Sequence, residues 1–433
     1  MHSKQRPIAV DLFAGAGGMS LGFEQAGFDV LAAVELDPIH CAVYQFNFPS
    51  SSVLCKSIEE LNGGEIRDFS QISNYTIDVV FGGSPCQGFS LIGRRAFTDP
   101  YNSLLFHFWR VVTNLKPKYF VLENVPGLIM GKHRHFLVEM MDKFRESGYQ
   151  IQEHYQVLNA ANYGVPQNRS RLFLLGCLQD LSLPQYPQPQ TKPAKWQKTK
   201  HLLFREDDLP YTPVVWDAIG DLPEVELIPE LLEQDWATVE YGRFSDYSYK
   251  LHYPQTDKYN YGYERIFDLY KLTSSVRTRH GIESINRFEA TAAGENEAIS
   301  RFYKLEKDGL CNTLRAGTPS SRGSFTAPRP IHPSTPRCIT VREAARLHSY
   351  PDWFRFHVTK WHGFRQVGNS VPPLLARKIA SEVIHALGVI PSKPLTILNL
   401  GDESLINFTN SQAALYYGIC NNSNSSAIRK RNA

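Results

Sequence analysis

The stretch VDLFAGAGGMSLGF, residues 10–23, combines three signals of local structure. An apolar run typical of a buried strand leads into a glycine-rich turn, and a helical pattern follows that closes on Gly27. Glycine lets the backbone approach a ligand closely, and the first turn of a helix presents free N–H groups. The stretch therefore predicts a strand, a turn able to hold a ligand, and a short helix.

Outward from this stretch, short apolar runs alternate with helical patterns up to about residue 180. The predicted strands are residues 8–13, 29–36, 76–83, 118–125, 151–160 and 171–178, and the predicted helices are residues 19–28, 38–48, 103–116 and 135–149. Such alternation is typical of an α/β fold with a doubly wound, mostly parallel sheet.

The character of the sequence changes near Leu181. Residues 183–200 are rich in proline, glutamine and lysine and are typical of a linker. Periodicity is then poor up to about residue 340, and helical patterns return in residues 340–354 and 370–388. The polar tail after Gly401 is expected to be frayed or disordered.

Composition narrows the class of protein. A formal net charge of +3 is nearly neutral and does not by itself indicate nucleic acid as a partner. The seven cysteines are odd in number and contain no C-x-x-C pair, which argues against a disulfide framework or a metal site. Because there is neither an apolar run of about 18 residues nor a leader pattern, we expect a soluble intracellular protein without a membrane span.

The glycine turn alone is a weak signal. Gly15, Gly17 and Gly18 fit a ligand-binding turn, but Ser20 occupies the last glycine position of the dinucleotide pattern G-x-G-x-x-G. Glu35 ends the next predicted strand, where a carboxylate can accept hydrogen bonds from both hydroxyls of a ribose. A packing turn beside a surface acid remains the alternative interpretation of these residues.

Five short motifs occur in one order along the chain. They are DLFAGAGG (residues 11–18), SPCQGFS (84–90), ENVPG (123–127), QNRSRLF (167–173) and GNSVPP (368–373). Together they resemble the ordered motifs of the DNA (cytosine-5)-methyltransferase family, from about residue 8 to 180 and again from about 339 to 387. Each motif is short, but five in sequence with suitable gaps are highly specific.

The resemblance implies S-adenosylmethionine as cofactor, with its methionine part on the glycine turn, its ribose on Glu35 and Phe13 beside it. The cofactor residues it implies are Phe13, Ala14, Gly15, Gly17, Gly18, Glu35, Leu36, Ser57, Ile58, Asn369, Ser370 and Val371. The family often has an acidic residue that meets the adenine, where this chain has Ser57. The adenine contact is therefore left open between Ser57, Glu59 and the backbone.

Cys86 follows Pro85 directly after a predicted strand, in a glycine-flanked turn. Cytosine C5 becomes a nucleophile once a soft nucleophile adds to C6, and a thiolate adds and leaves reversibly. The resemblance implies that Cys86 is this nucleophile and that Pro85 fixes its turn. A small buried thiol is the alternative.

Three further groups fit the same reaction. Glu123 ends a predicted strand, and a partly desolvated carboxyl can donate to cytosine N3 and accept from its amine. Arg171 is implied to hold the base O2, with Arg169 and Gln167 supporting the site. A helix-capping acid and a surface pair of arginines are the alternatives.

The resemblance also implies double-stranded DNA as partner, with the target base flipped out of the helix. Ser90, Arg94 and Arg95 lie after Cys86 in a glycine-bearing, basic stretch and are expected to contact phosphates. Thr313 and Leu314 are similar to a threonine-leucine pair of the family's recognition domain.

The resemblance divides the chain into four parts. Residues 1–180 form the catalytic and cofactor-binding domain, 181–340 the target-recognition domain, 341–390 a segment that returns to the catalytic domain, and 391–433 a C-terminal extension. It implies a monomer of the bacterial cytoplasm, associated with the nucleoid, with a possible cognate restriction endonuclease. The alternatives are an RNA cytosine-5 methyltransferase, a nucleotide-dependent oxidoreductase and a catalytically silent relative.

Overall fold

The computed structural model describes residues 6–85, 103–131, 134–193, 208–317 and 329–419. Within these residues, eight strands form one sheet. The strands are β1 (Ile8–Leu12), β2 (Asp29–Glu35), β3 (Ser52–Cys55), β4 (Val79–Gly83), β5 (Tyr119–Asn124), β6 (Tyr149–Ile151), β7 (Gln156–Asn159) and β8 (Ser170–Leu178). Their order across the sheet is β3-β2-β1-β4-β5-β8-β6, and β7 also pairs with β8.

The first five strands run parallel to one another, whereas β8 runs antiparallel to β5, β6 and β7. The predicted α/β class with a mostly parallel sheet is confirmed. The prediction of a single strand over residues 151–160 is wrong, because this stretch is divided between β6 and β7. Strand β3 was not predicted, because its four residues are too few to show a period.

Helices cover both faces of the sheet. The described helices are α1 (Gly18–Ala26), α2 (Pro38–Asn47), α3 (Gly63–Phe69), α4 (Ser103–Leu115), α5 (Arg134–Glu146), α6 (Val215–Ile219), α7 (Asp246–His252), α8 (Ile282–Ala290), α9 (Val341–Leu347), α10 (Lys360–Asn369), α11 (Pro373–Leu387) and α12 (Asn410–Tyr416). Alternate strand residues face opposite sides: Val10 and Leu12 pack with α4 and α5, whereas Ala9 packs with α1 and α11. One sheet with helices on both faces is the predicted doubly wound arrangement.

The segment that holds α11 returns from far along the chain to pack on α1. A Cβ atom on Gly22 would collide with the Ala376 side chain and with the backbone of Pro373, so only glycine permits this close approach of the two helices. The α1 helix ends at Gly27 in the left-handed conformation, as its sequence predicts. The return of α11 places the chain just before it, including Ser370 and Val371, beside the glycine turn.

The middle of the chain forms short elements. Strand β9 (Ala237–Thr238) pairs with β11 (Lys271–Leu272), and β10 (Glu264–Arg265) pairs with β12 (Ile397–Leu398). This agrees with the poor periodicity of the sequence there. A buried arginine of α9, Arg346, joins this region to the returning segment through Asp221 at 3.0 Å and Asp352 at 2.6 Å. The domain boundaries remain a prediction.

The chain beyond Gly401 is folded in part. Residues Glu403–Asn407 form a 3-10 turn, and α12 follows with Ala413 and Ala414 buried. The expectation of a frayed tail is therefore wrong up to residue 419, and residues 420–433 lie outside the described part of the chain. Among the described residues, we find no helix whose length and apolarity would suffice to span a membrane.

Candidate active site

A cavity of about 790 Å³ lies at the carboxyl ends of the parallel strands. Strand β1 has β2 on one side and β4 on the other, so the strand order reverses beside it. Open α/β sheets bind ligands in the crevice at such a reversal. The cavity is lined from the ends of β1, β2, β4 and β5, and from the returning segment.

The glycine turn forms one wall of this cavity. The chain leaves β1 through Phe13, which has φ of 63°, a conformation uncommon for a residue with a side chain. Gly15 follows with φ of 55°, and a Cβ atom on it would meet nothing within 4 Å because it faces open space. Backbone strain of this kind is often kept at ligand sites, where surrounding structure enforces it.

The carboxylate of Glu35 organises the turn. Its Oε2 accepts the Gly15 N–H at 2.8 Å, and its Oε1 accepts the Asp37 N–H at 2.9 Å. Burial alone would raise the pKa of Glu35, but the hydrogen bond and charge of His40, together with these N–H groups, outweigh it and place the pKa below its ordinary value. Glu35 is therefore ionised, and its remaining lone pairs can still accept hydroxyl groups.

Glu123 and Arg171 face each other at the other side of the cavity. Arg171 Nε lies 2.9 Å from Glu123 Oε1, and both side chains are nearly buried. Burial raises the pKa of Glu123, and the opposing charges of Arg171 and Arg169 do not fully cancel this effect. A Cβ atom on Gly83, the last residue of β4, would collide with the Glu123 carboxyl, so glycine is required there for the acid to occupy this position.

Arg169 differs from Arg171 in its surroundings, although the two are close in sequence. Its guanidinium is fully buried and donates to the carbonyls of Leu314, Gly368 and Ser370 at 2.7, 2.8 and 2.7 Å. Its contacts therefore join the sheet to the two distant segments that carry these carbonyls.

Gln167 takes part in the same junction. It is fully buried, its Oε1 accepts the Leu314 N–H at 3.2 Å, and its Nε2 lies 3.0 Å from His348 Nδ1. Thr313 donates through its hydroxyl to the Asn168 carbonyl at 2.6 Å, and the Leu314 side chain is buried. The threonine-leucine pair is thus anchored to the catalytic sheet, and its predicted contact with DNA stays a prediction.

The sequence model of the family described as C-5 cytosine-specific DNA methylase matches residues 8–385. The chain belongs to this family. The predicted enzyme, a DNA (cytosine-5)-methyltransferase, is thereby confirmed. The family description names DNA, which favours the DNA prediction over the RNA alternative, and it gives no support to an oxidoreductase.

Relatives of this methyltransferase align along nearly its whole length. The chain is 54% identical over 414 residues to the Type II methyltransferase M.XorII of Xanthomonas oryzae pv. oryzae, covering 96% of this chain and 93% of that protein. It is 32% identical to M.DdeI of Desulfomicrobium norvegicum, covering 86% and 88%. A crystal structure of a putative DNA modification methyltransferase from an E. coli prophage superposes with a TM-score of 0.71 at 32% identity, covering 88% of this chain and 99% of that one.

Most of the residues predicted for the methyltransferase site line the one cavity. They are Phe13, Ala14, Gly15, Gly18, Glu35, Leu36, Ile58, Pro85, Glu123, Arg171, Asn369, Ser370 and Val371. Gly17 and Ser57 do not line it: Gly17 precedes the first turn of α1, and the Ser57 hydroxyl accepts the Glu59 N–H at 3.3 Å. Cys86, Ser90, Arg94 and Arg95 lie outside the described residues.

The structure adds cavity residues that the sequence analysis did not select. Asp37 caps the start of α2 and pairs with Arg365 at 3.2 Å, and both line the cavity. An aspartate directly before a proline-led helix is a capping signal, which could have drawn attention to Asp37. Asn410, Ala414 and Ile419 come from the C-terminal segment and line the cavity as well. No local motif marks those three residues.

Proposed function

We propose that this chain transfers a methyl group from S-adenosylmethionine to C5 of a cytosine flipped out of a specific short duplex DNA sequence, through a bond between Cys86 Sγ and C6. The observation that carries the proposal is one cavity with two unlike ends. A glycine turn and an ionised Glu35 lie at one end, and Glu123 with its raised pKa and Arg171 lie at the other.

The first end fits S-adenosylmethionine. Gly15 opens into the cavity with space where a side chain would stand, the Glu35 carboxylate can accept ribose hydroxyls, and Leu36 and Ile58 offer apolar surface for a base. Phe13, Ala14, Gly18, Asn369, Ser370 and Val371 complete the proposed cofactor residues, with Gly17 and Ser57 adjacent. When bound there, S-adenosylmethionine would supply an electrophilic methyl group.

The second end fits a cytosine ring. Glu123, protonated more readily because of its burial, donates to N3 and accepts from the exocyclic amine, which distinguishes cytosine from thymine. Arg171 stabilises negative charge at O2 as the ring is attacked. Arg169 and Gln167 act indirectly, because they are buried and hold neighbouring segments in place.

The nucleophile is Cys86, the residue after Pro85, and Pro85 itself lines the cavity. The Cys86 thiolate forms the Sγ–C6 bond, and the electron pair this delivers to C5 takes up the methyl group. A base then removes the C5 proton, and the Sγ–C6 bond breaks to release the thiolate and the methylated base.

Recognition of DNA is assigned to residues 181–340. Thr313 and Leu314, which are hydrogen-bonded to Asn168 and Gln167, are proposed to contact DNA. Ser90, Arg94 and Arg95 are proposed to contact phosphates. The enzyme is proposed to act as a monomer, on the bacterial nucleoid. The relatives called Type II methyltransferases support a role in a restriction-modification system with a cognate endonuclease.

Bisulfite sequencing of the genome of a methylation-free host that expresses the chain tests the activity. We expect cytosines that resist conversion at one short sequence. The same host expressing Cys86→Ala should show none, while purified Cys86→Ala should still bind S-adenosylhomocysteine with the wild-type affinity. Full methylation by Cys86→Ala would refute the covalent mechanism, and no resistant cytosine with the wild-type chain would refute the activity.

A further inference from the structure

The described C-terminal segment, residues 391–419, lies beyond the end of the family match at residue 385 and yet reaches the cofactor cavity. It first adds β12 beside β10, and Gly401 then donates its N–H to the Phe46 carbonyl of α2 at 2.8 Å. A Cβ atom on Gly401 would stand 2.9 Å from the Phe46 Cα, so the two backbones are in close contact. The segment is therefore packed on α2.

Apolar contacts continue the packing of the segment on α2. Leu405 and Ile406 are buried in a cluster with Ala16 of the glycine turn and with Ala42 and Val43 of α2. The segment thus shares one apolar cluster with the glycine turn and with the helix that follows Glu35.

Hydrogen bonds fix the last part of the segment on the same helix. The Tyr417 hydroxyl donates to Gln45 Oε1 at 2.8 Å, and Gln45 Nε2 donates to the Tyr416 hydroxyl at 3.1 Å. The Ile419 N–H donates to the Ala414 carbonyl at 2.8 Å, which closes the chain after α12. This arrangement places Asn410, Ala414 and Ile419 on the cavity wall.

The position of the segment indicates which end of the cavity it covers. Tyr417 packs against the apolar cluster that contains Ala42 and Val43 of α2. Burial raises the pKa of the Tyr417 hydroxyl, and the nearby thiols of Cys41 in α2 and Cys55, the last residue of β3, raise it further. Strands β2 and β3 lie on the side of β1 opposite to β4 and β5, which carry Pro85 and Glu123. The segment therefore borders the end of the cavity that holds Glu35.

We infer that Asn410, Ala414 and Ile419 complete the cofactor site at its nucleoside end, with Ala414 and Ile419 against the purine and the Asn410 amide within reach of its polar edge. This rests on the proposed cofactor. Apolar side chains suit the faces of a purine, and an exposed amide can both donate and accept at its edge. The segment is then a determinant of cofactor affinity that the family motifs do not contain.

Isothermal titration of the full-length chain with S-adenosylhomocysteine and with adenosine tests the inference. Ile419→Ser removes apolar contact, and we expect about tenfold weaker binding of both ligands, as the loss of a few buried carbon atoms implies. Asn410→Ala, at an exposed position, should weaken both about threefold, the usual effect of one hydrogen bond. Leu415→Ser is the matched control, because Leu415 is 81% exposed on α12 and does not line the cavity.

The outcomes separate the two proposals. If the wild-type chain binds neither ligand, the proposed cofactor is wrong. If it binds both and the two variants bind as tightly as Leu415→Ser, the inference is overturned. If S-adenosylhomocysteine binding weakens but adenosine binding does not, the location at the nucleoside end is wrong. Thermal unfolding without ligand identifies a variant that is misfolded, and Asn410→Ala then decides alone.

Discussion

Replacing Arg169 by methionine should destabilise the fold far more than the same change at Arg171. Arg169 donates to three buried carbonyls, and a buried acceptor left without its partner costs about 1–3 kcal/mol. The substitution also removes the cost of burying the guanidinium, so the three losses do not simply add. We expect a net loss of about 3–5 kcal/mol in the free energy of unfolding.

Arg171→Met is the matched variant. Arg171 pairs with Glu123, whose carboxyl can take up a proton once its partner is gone, so we expect a loss of only about 1 kcal/mol. Methyl transfer should instead fall about 100-fold or more, in line with the loss of one oxyanion-stabilising donor.

Urea unfolding and single-turnover methyl transfer measure the two quantities in parallel. Arg169→Met should also bind S-adenosylhomocysteine more weakly, because Ser370 lines the cavity and loses its anchor. Equal unfolding free energies for the two variants, or a wild-type value for Arg169→Met, would show that the assignment of a structural role to Arg169 is mistaken.

Three further predictions concern acids and glycines. Gly83→Ala should displace Glu123 and lower kcat about tenfold or more. Gly127→Ala is the control, since a Cβ atom on Gly127 meets only one atom within 4 Å, at 3.8 Å. The wild-type kcat/KM should fall as pH rises through the raised pKa of Glu123, and Glu123→Gln should lower the rate about 100-fold and flatten this profile. Burial opposes ionisation of Glu343, but Arg337 outweighs it and lowers the pKa to about 2. The unfolded chain then binds more protons than the folded chain between about pH 2 and 4.3, so the free energy of unfolding falls on acidification through that window. In urea unfolding, Glu343→Gln should lack this pH dependence. Its free energy of unfolding at pH 7 should be about 3 kcal/mol lower than that of the wild-type chain.

Local signals predicted β1, β2, β4, β5 and β8 but not β3 or the division between β6 and β7. The glycine at the end of α1 and the buried apolar runs of β1, β2, β4 and β5 each specify a structure from a few neighbouring residues. Helix α10 was missed: the predicted helical patterns of residues 340–354 and 370–388 lie on either side of it, and its last residue, Asn369, was selected only as part of a motif. Helix α12 was missed because its seven residues are too few to show a helical period, and they lie in a stretch that was expected to be frayed.

The cavity-lining residues that belong to motifs could be selected from the sequence, whereas those brought together by contacts between distant segments could not. Glu35, Glu123 and Arg171 lie at or next to the end of a strand, so their place at the sheet edge could be expected. The pairing of Arg365 with Asp37 joins residues far apart in the chain, and no local pattern indicates it. The sequence likewise could not predict that Arg169 and Arg171 have different environments, since both belong to one short motif.

The packing of α11 on α1 has a consequence for synthesis of the enzyme. During synthesis α1 leaves the ribosome well before α11, the helix that covers it, because the whole middle region is made between them. Until then an apolar face of α1 and one edge of the cofactor cavity have no partner from the same chain. A chain that ends before α11 therefore lacks part of the cavity wall, and we expect it not to modify DNA until that helix has been made.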